Sequence, residues 1–229
     1  VIGWPFNDAG EIIRALAGID TKTVTVRINS PGGDVFDSTA IFNALQSHKS
    51  KIVTRIESLA ASAASFIALA GKEVQAYQNA MFMIHDPWVL AAGNQYDLRE
   101  IADILEKISG NMVDIYSQNS SVGKKEIREM LKAETWFTAK EAKEKGFVDT
   151  IIDGKAAKAQ FDLSMFAHVP DGFKAEGHEP TEREKEKALR DVGFTLKEAK
   201  AFLAGRRESN GIDELKVAAQ KLLKTIGGK

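Results

Sequence analysis

The sequence predicts an α/β domain on a largely parallel sheet, followed by a small helical module. Three observations carry this. Short β-branched runs alternate with helical periodicities between Thr23 and Ile152. The segment Ala63 to Ala70 is almost wholly apolar, the mark of a helix buried on every side. After Asp153 the periodic pattern gives way to Gly, Pro and charge, and then to short capped helices.

Thr23 to Ile28 alternates and is β-branched, which predicts a strand. Pro31-Gly32-Gly33 turns the chain, and Asp34 can cap a helix whose apolar face holds Phe36, Ala40, Ile41, Ala44 and Leu45. Lys51 to Ile56 predicts a second strand, and Gly71 can end the short helix that follows. Val74 to Tyr77 and Met81 to His85 read as two more strands. The longest helix is expected over 97–117, where Leu98, Ile101, Ile104, Leu105, Ile108, Met112 and Ile115 recur at helical spacing. It carries more apolar face than one small domain readily covers. A further helix is expected over about 124–132. Thr138-Ala139-Lys140-Glu141 is a capping box opening a helix that Gly146 stops, and 147–152 reads as a last strand.

The expected organisation is a main domain over 1–153, a linker over 154–180 and a helical extension over 181–229. In the extension, Thr181-x-x-Glu184 and Thr195-x-x-Glu198 are two further capping boxes, and Leu215, Ala218, Leu222 and Leu223 mark an amphipathic stretch.

The chain has 229 residues, a net charge of −1 and no cysteine. Thiol catalysis, disulfides and Cys-based metal sites are therefore excluded, and the charge balance gives no global case for nucleic acid or an anionic membrane. No apolar run reaches spanning length, and no signal peptide is recognisable. The start at Val1 without Met leads one to expect that residues precede it. No P-loop, metal-ligand cluster or nucleotide fingerprint is present, so no cofactor and no metal is expected. Any dependence on ATP would come from a partner.

Three segments carry chemistry. Ser62 stands where strand gives way to helix, so the N–H of Ala63 can face a developing oxyanion. The small neighbours Ala60, Ala61, Ala63 and Ala64 would let a substrate backbone come close. A packed helix-cap serine is the simpler alternative. Ser30-Pro31-Gly32-Gly33 offers uncovered backbone N–H groups, with Gly32 the candidate second oxyanion donor; an ordinary turn would use the same residues. His85, at a strand end, is placed to be a general base, although a structural histidine fits that position equally. For the group that orients the imidazole, Asp86 is badly directed, being adjacent on a strand. Glu134 is the better candidate, against the alternative of a surface carboxylate.

Residues 24–149 resemble the ClpP family of serine peptidases. Ile28-Asn29-Ser30-Pro31-Gly32-Gly33, Ala60-Ala61-Ser62, Met83-Ile84-His85-Asp86-Pro87 and the run from Phe137 to Asp149 occur in that family's order. The resemblance implies repeated β-β-α units with a projecting long helix, and a catalytic set of Ser62, His85 and Glu134 with Gly32 and Ala63 as the oxyanion hole. It departs from housekeeping members in Leu59-Ala60-Ala61-Ser62-Ala63-Ala64-Ser65 and in having Glu134 where the family has Asp. Those departures, with the helical extension and its Ala188-Leu189-Arg190-Asp191 segment, look like the ClpP-related head maturation proteases of tailed bacteriophages and prophages. That resemblance implies cleavage of phage scaffold or capsid protein in a homo-oligomeric ring, in the host cytoplasm within the assembling prohead; the charge balance and the lack of a spanning run speak against nucleic acid and membrane as partners.

Two other functions fit parts of the same pattern. One is a crotonase-type acyl-transfer enzyme on the same fold, against which the co-occurrence of Ser62, His85 and Glu134 argues. The other is a non-catalytic structural subunit or a DNA-contacting protein; the helices around Gly193-Phe194-Thr195 carry mixed charge and no basic stripe, which argues against DNA.

Overall fold

The computed structural model describes residues 2–3, 8–154, 161, 163 and 165–170, together with Glu186, Lys200 and Leu203. The chain divides into two compact units: Val1–Phe161 with Phe166–Pro170, and Asp162–Met165 with Asp171–Lys229. Of the expected linker over 154–180 only residues 154, 161, 163 and 165–170 are described, and apart from Glu186, Lys200 and Leu203 the expected helical extension over 181–229 lies outside the described residues.

The first unit has the order α1 (Ala9–Ala17), β1 (Thr23–Ser30), α2 (Val35–Ser47), β2 (Lys51–Ala61), α3 (Ala63–Ala68), β3 (Glu73–Tyr77), β4 (Met81–Ile84), α4 (Gln95–Gln118), α5 (Lys124–Lys132), β5 (Thr135–Thr138), α6 (Ala139–Glu144) and β6 (Thr150–Ile152). The α/β expectation therefore holds. The sheet is parallel at every pairing except β4 with β5. β2 is its spine. Along one edge it pairs with β1; on the other, Val53–Ile56 pair with β3 and Leu59–Ala61 pair with β4. One long strand thus serves two neighbours in succession, and the sheet curls where the partner changes. β2 reads as a short strand in the sequence because Glu57 and Ser58 interrupt its apolar run. β1 absorbs an irregularity between Ile28 and Ser30, which frees the following loop to leave the ladder.

Aromatic side chains link the layers. Phe82 of β4 stacks on Phe147 with ring centres 5.2 Å apart. Tyr116 of α4 stands edge-on to Phe147 at 6.1 Å and to Phe66 of α3 at 6.4 Å. Phe66 meets Phe42 of α2 at 4.9 Å. Only the C-terminal part of α4 enters this core, through Met112, Val113 and Tyr116. Its 24 residues correspond to about 36 Å. The leading turns leave Tyr96, Leu98 and Ile104 exposed, as expected for a helix with more apolar face than its own domain covers. Asn94 and Asp97 close a reciprocal capping box at its start.

Candidate active site

β2 delivers the nucleophile candidate. Its ladder with β4 continues one step past Ala61, the Ser62 N–H donating to the Met83 carbonyl at 3.0 Å. The chain then enters α3 at Ala63. The strand-to-helix change forces Ser62 to φ 54° and ψ −128°, a region that L-residues rarely occupy. The result is a sharp turn with the serine at its apex. Ala63 is the first helical residue, so its N–H has no partner within the helix.

β4 delivers the base. His85 follows the strand directly, and its Nε2 lies 2.8 Å from Ser62 Oγ. Only 9% of the histidine is exposed. Burial pushes its pKa below the ordinary imidazole value, while the nearby charges of Glu134 and Asp86 act in the other direction. Asp86 is turned away as anticipated: its carboxylate accepts from Ser109 Oγ, and its N–H bonds the Leu131 carbonyl.

The glycine loop packs against the nucleophile. A Cβ on Gly32 would stand 2.7 Å from Ser62 Cβ and 2.8 Å from the Ala61 carbonyl, at φ 107°. Only glycine permits that approach. The Gly32 N–H donates to Ser30 Oγ at 3.2 Å, within its own turn. The Gly32 carbonyl accepts from the Ile2 N–H at 2.9 Å. Because a trans peptide carries its C=O and N–H on opposite sides, the next N–H, that of Gly33, points away from Ile2. Gly33, with Ser62, Ala63 and His85, lines a cleft of about 360 Å³. Two adjacent glycines do not tell in sequence which N–H is available to the cleft; the bridge with Ile2 leaves the Gly33 N–H out of that pairing.

Most of the rest of the cleft is apolar, with Phe36, Phe66, Trp88, Ile104, Leu105 and Met112 in its walls. Helices α2, α3 and α4 supply all of these but Trp88, which stands in the loop between β4 and α4. Such a lining suits a large apolar side chain of a peptide presented to Ser62.

Glu134 has the left-handed backbone of φ 50°. Its carboxylate accepts from Trp136 Nε1 at 3.2 Å, from the Ala167 N–H at 2.9 Å and from the His168 N–H at 2.6 Å. No hydrogen bond among the described residues joins it to His85. The segment 166–168 forms a strap that takes the carboxylate's lone pairs, and its Phe166 ring stands edge-on to His85 at 5.5 Å and to Trp136 at 5.7 Å. This strap has no counterpart in the sequence pattern, since 154–180 shows no periodicity. The structure thus brings Ser62, His85, Ala63 and the glycine loop together, and places Glu134 near enough for its charge to act on the histidine.

Among the described residues no cluster of three or more His, Asp or Glu side chains could hold a metal ion. Nor is any helix among them long and apolar enough to cross a membrane.

Comparison with known proteins agrees with this chemistry. The Clp protease family model matches residues 7–155. The ATP-dependent Clp protease proteolytic subunit 1 of Streptomyces coelicolor is 34% identical over 158 residues, covering 66% of this chain and 72% of that protein. The ATP-dependent Clp protease proteolytic subunit of Streptococcus uberis is 31% identical over 160 residues, covering 66% and 82%. That of Lactococcus lactis subsp. cremoris is 30% identical over 158 residues, covering 66% and 79%. With a strained serine in contact with a buried histidine, and with relatives of this identity and coverage, the chain belongs to the Clp protease family and is a serine-type peptidase.

Proposed function

We propose that this protein is an endopeptidase that works through an acyl-enzyme on Ser62. The observation that carries the reading is the 2.8 Å contact between Ser62 Oγ and His85 Nε2 at a backbone outlier. His85 takes the hydroxyl proton as Oγ attacks the substrate carbonyl carbon. The tetrahedral oxyanion lies between the N–H groups of Ala63 and Gly33. Its collapse breaks the C–N bond, and His85 returns the proton to the leaving amine. Water then attacks the ester; His85 accepts a proton from it and passes one back to Ser62 as Oγ departs. Glu134 is the third member: its charge favours the imidazolium that forms twice in the cycle. A fluorophosphonate probe tests the assignment. Labelling should fall on Ser62 and be abolished, together with peptide cleavage, in Ser62→Ala. Activity retained in Ser62→Ala but lost in Ser65→Ala would overturn it.

The finer setting proposed is phage head maturation, with scaffold or capsid protein as substrate inside a prohead. It is supported by the segment Leu59–Ser65, by Glu134 in the run through Ala142, and by the extension after Asp153. Incubation with co-expressed phage scaffold and capsid protein, followed by intact-mass analysis, tests it: defined truncations support the setting, and unchanged masses for both remove it.

A further inference from the structure

The carbonyl of Ser62 and the N–H of Ala63 belong to one peptide plane. The structure contains no cis peptide bond among its described residues, so the two groups point in opposite directions. Whatever holds the carbonyl therefore aims the N–H. Three donors hold it: the Ser65 N–H at 2.9 Å, the Phe66 N–H at 3.3 Å and the Ser65 hydroxyl at 2.6 Å.

Ser65 Oγ is also 2.8 Å from the Tyr116 hydroxyl. A serine hydroxyl has one hydrogen to give. Ser65 gives it to the Ser62 carbonyl, so Tyr116 is the donor to Ser65. The chain of bonds runs from the Tyr116 O–H to the Ser65 O–H to the Ser62 carbonyl, with the Ala63 N–H facing the cleft at its far end. Ser65 and Tyr116 are both fully buried. Burial pushes the Tyr116 pKa upward, which keeps its proton in place. The ring already packs against Phe66 and Phe147, for which phenylalanine would serve as well. The hydroxyl is the part that packing does not require.

We infer that Ser65 and Tyr116 are positioning residues for this peptidase, a relay from α4 that fixes the Ser62–Ala63 peptide with its N–H aimed at the oxyanion. The relay rests on the assignment of Ser62 as nucleophile and Ala63 as oxyanion donor. It answers a definite need: Ser62 occupies a strained conformation, and a peptide plane flanked by such a residue has to be held by its surroundings. Successive hydrogen bonds also polarise one another, so a donor on the carbonyl strengthens the N–H across the same peptide.

The test uses the full chain with Tyr116→Phe, Ser65→Ala and the double variant. A chromogenic peptide gives kcat and KM. A peptide boronic acid, tetrahedral and anionic when bound to serine, reports the oxyanion site, and the product peptide reports ground-state binding. Tyr116→Phe should lower kcat by about tenfold, less than the loss of a whole oxyanion donor, with KM and product affinity unchanged. Boronate affinity should fall in the same proportion. Ser65→Ala should lower both at least as far, and the double variant should match Ser65→Ala, because Tyr116 acts only through Ser65. Thermal melting accompanies each variant; should Ser65→Ala fail to fold, Tyr116→Phe decides alone through the split between kcat and KM. A Tyr116→Phe protein with lowered melting and unchanged kcat overturns the relay, as do independent, multiplying effects in the double variant. Wild-type protein that fails to label at Ser62 with fluorophosphonate overturns the underlying assignment and the relay with it, whereas normal labelling with unmoved kinetics in the variants overturns the relay alone.

Discussion

At the scale of residues, the pair Ser62 and His85 was legible because both stand at the ends of elements that composition marks. A small-residue run becomes a helix after Ser62, and an apolar strand stops at His85. Glu134 was placed by its surrounding motif, but its partners were not, because they are backbone groups of a segment without periodicity. The pH dependence follows from burial. His85 must be neutral to accept a proton, so kcat/KM should be full above its pKa and fall as pH drops through it. Burial lowers that value, so the acid limb should lie below about 6.5. Glu134 acts to raise it; Glu134→Gln should therefore move the limb to still lower pH and reduce kcat by about one to two orders of magnitude. A pH–rate profile of both proteins checks the sign, and near-normal turnover in Glu134→Gln would show that another group steadies the imidazolium. Gly32→Ala tests the close approach of the donor loop. Its Cβ would meet Ser62, so cleavage should fall by about a hundredfold or more in a steady-state assay.

At the scale of elements, periodicity located α2, α4 and α5 well, and alternation located β1, because each repeats its apolar residues at a regular spacing, even where, as on the leading turns of α4, that face is exposed. Three elements escaped. α1 is one, although its pattern is regular: Asp8 caps it by accepting from the Glu11 N–H, and Ile12 and Leu16 stand at helical spacing against the core. The C-terminal half of β2 is broken in sequence by Glu57 and Ser58. β5 is a short edge strand whose antiparallel pairing with β4 overrides a polar, loop-like start. The capping box of α6 was legible, and both of its arms form: the Thr138 side chain accepts from the Glu141 N–H, and Glu141 accepts from the Thr138 N–H. Thr138→Ala should lower stability by about 1 kcal/mol, and Phe147→Ala by about 3–5 kcal/mol, because Phe147 is fully buried and stacked on Phe82. Urea unfolding midpoints of the two variants should preserve that order.

At the scale of the whole molecule, the exposed apolar side chains concentrate beside the cleft: Phe36, Trp88, Val89 and Leu90, then Tyr96, Leu98 and Ile104 on the leading turns of α4. Such a surface fits a homo-oligomeric ring, with α4 packed against another copy. Light scattering of the wild-type protein should give a closed multiple of the chain mass, and Leu98→Glu should shift the distribution toward smaller species. A strictly monomeric protein at concentrations where it cleaves peptide would remove the ring from the account. The extent of the first unit was only partly legible. Asp153 marks the end of the periodic pattern, yet residues 166–170 belong to the same compact unit as the sheet.

The strap over Glu134 would be nearly invisible to an ordinary mutational scan. Position 167 is already alanine, and His168→Ala keeps the main-chain hydrogen that matters. The information is written in amide protons, which nineteen of the twenty side-chain choices leave in place; proline is the one that erases them. His168→Pro and Ala167→Pro should each strip a charge-assisted donor from the carboxylate and displace the acid limb of the pH–rate profile, while His168→Ala leaves that limb where it stands. A family comparison that scores side chains alone would pass over the same positions, so variability in sequence there is compatible with a constant physical role.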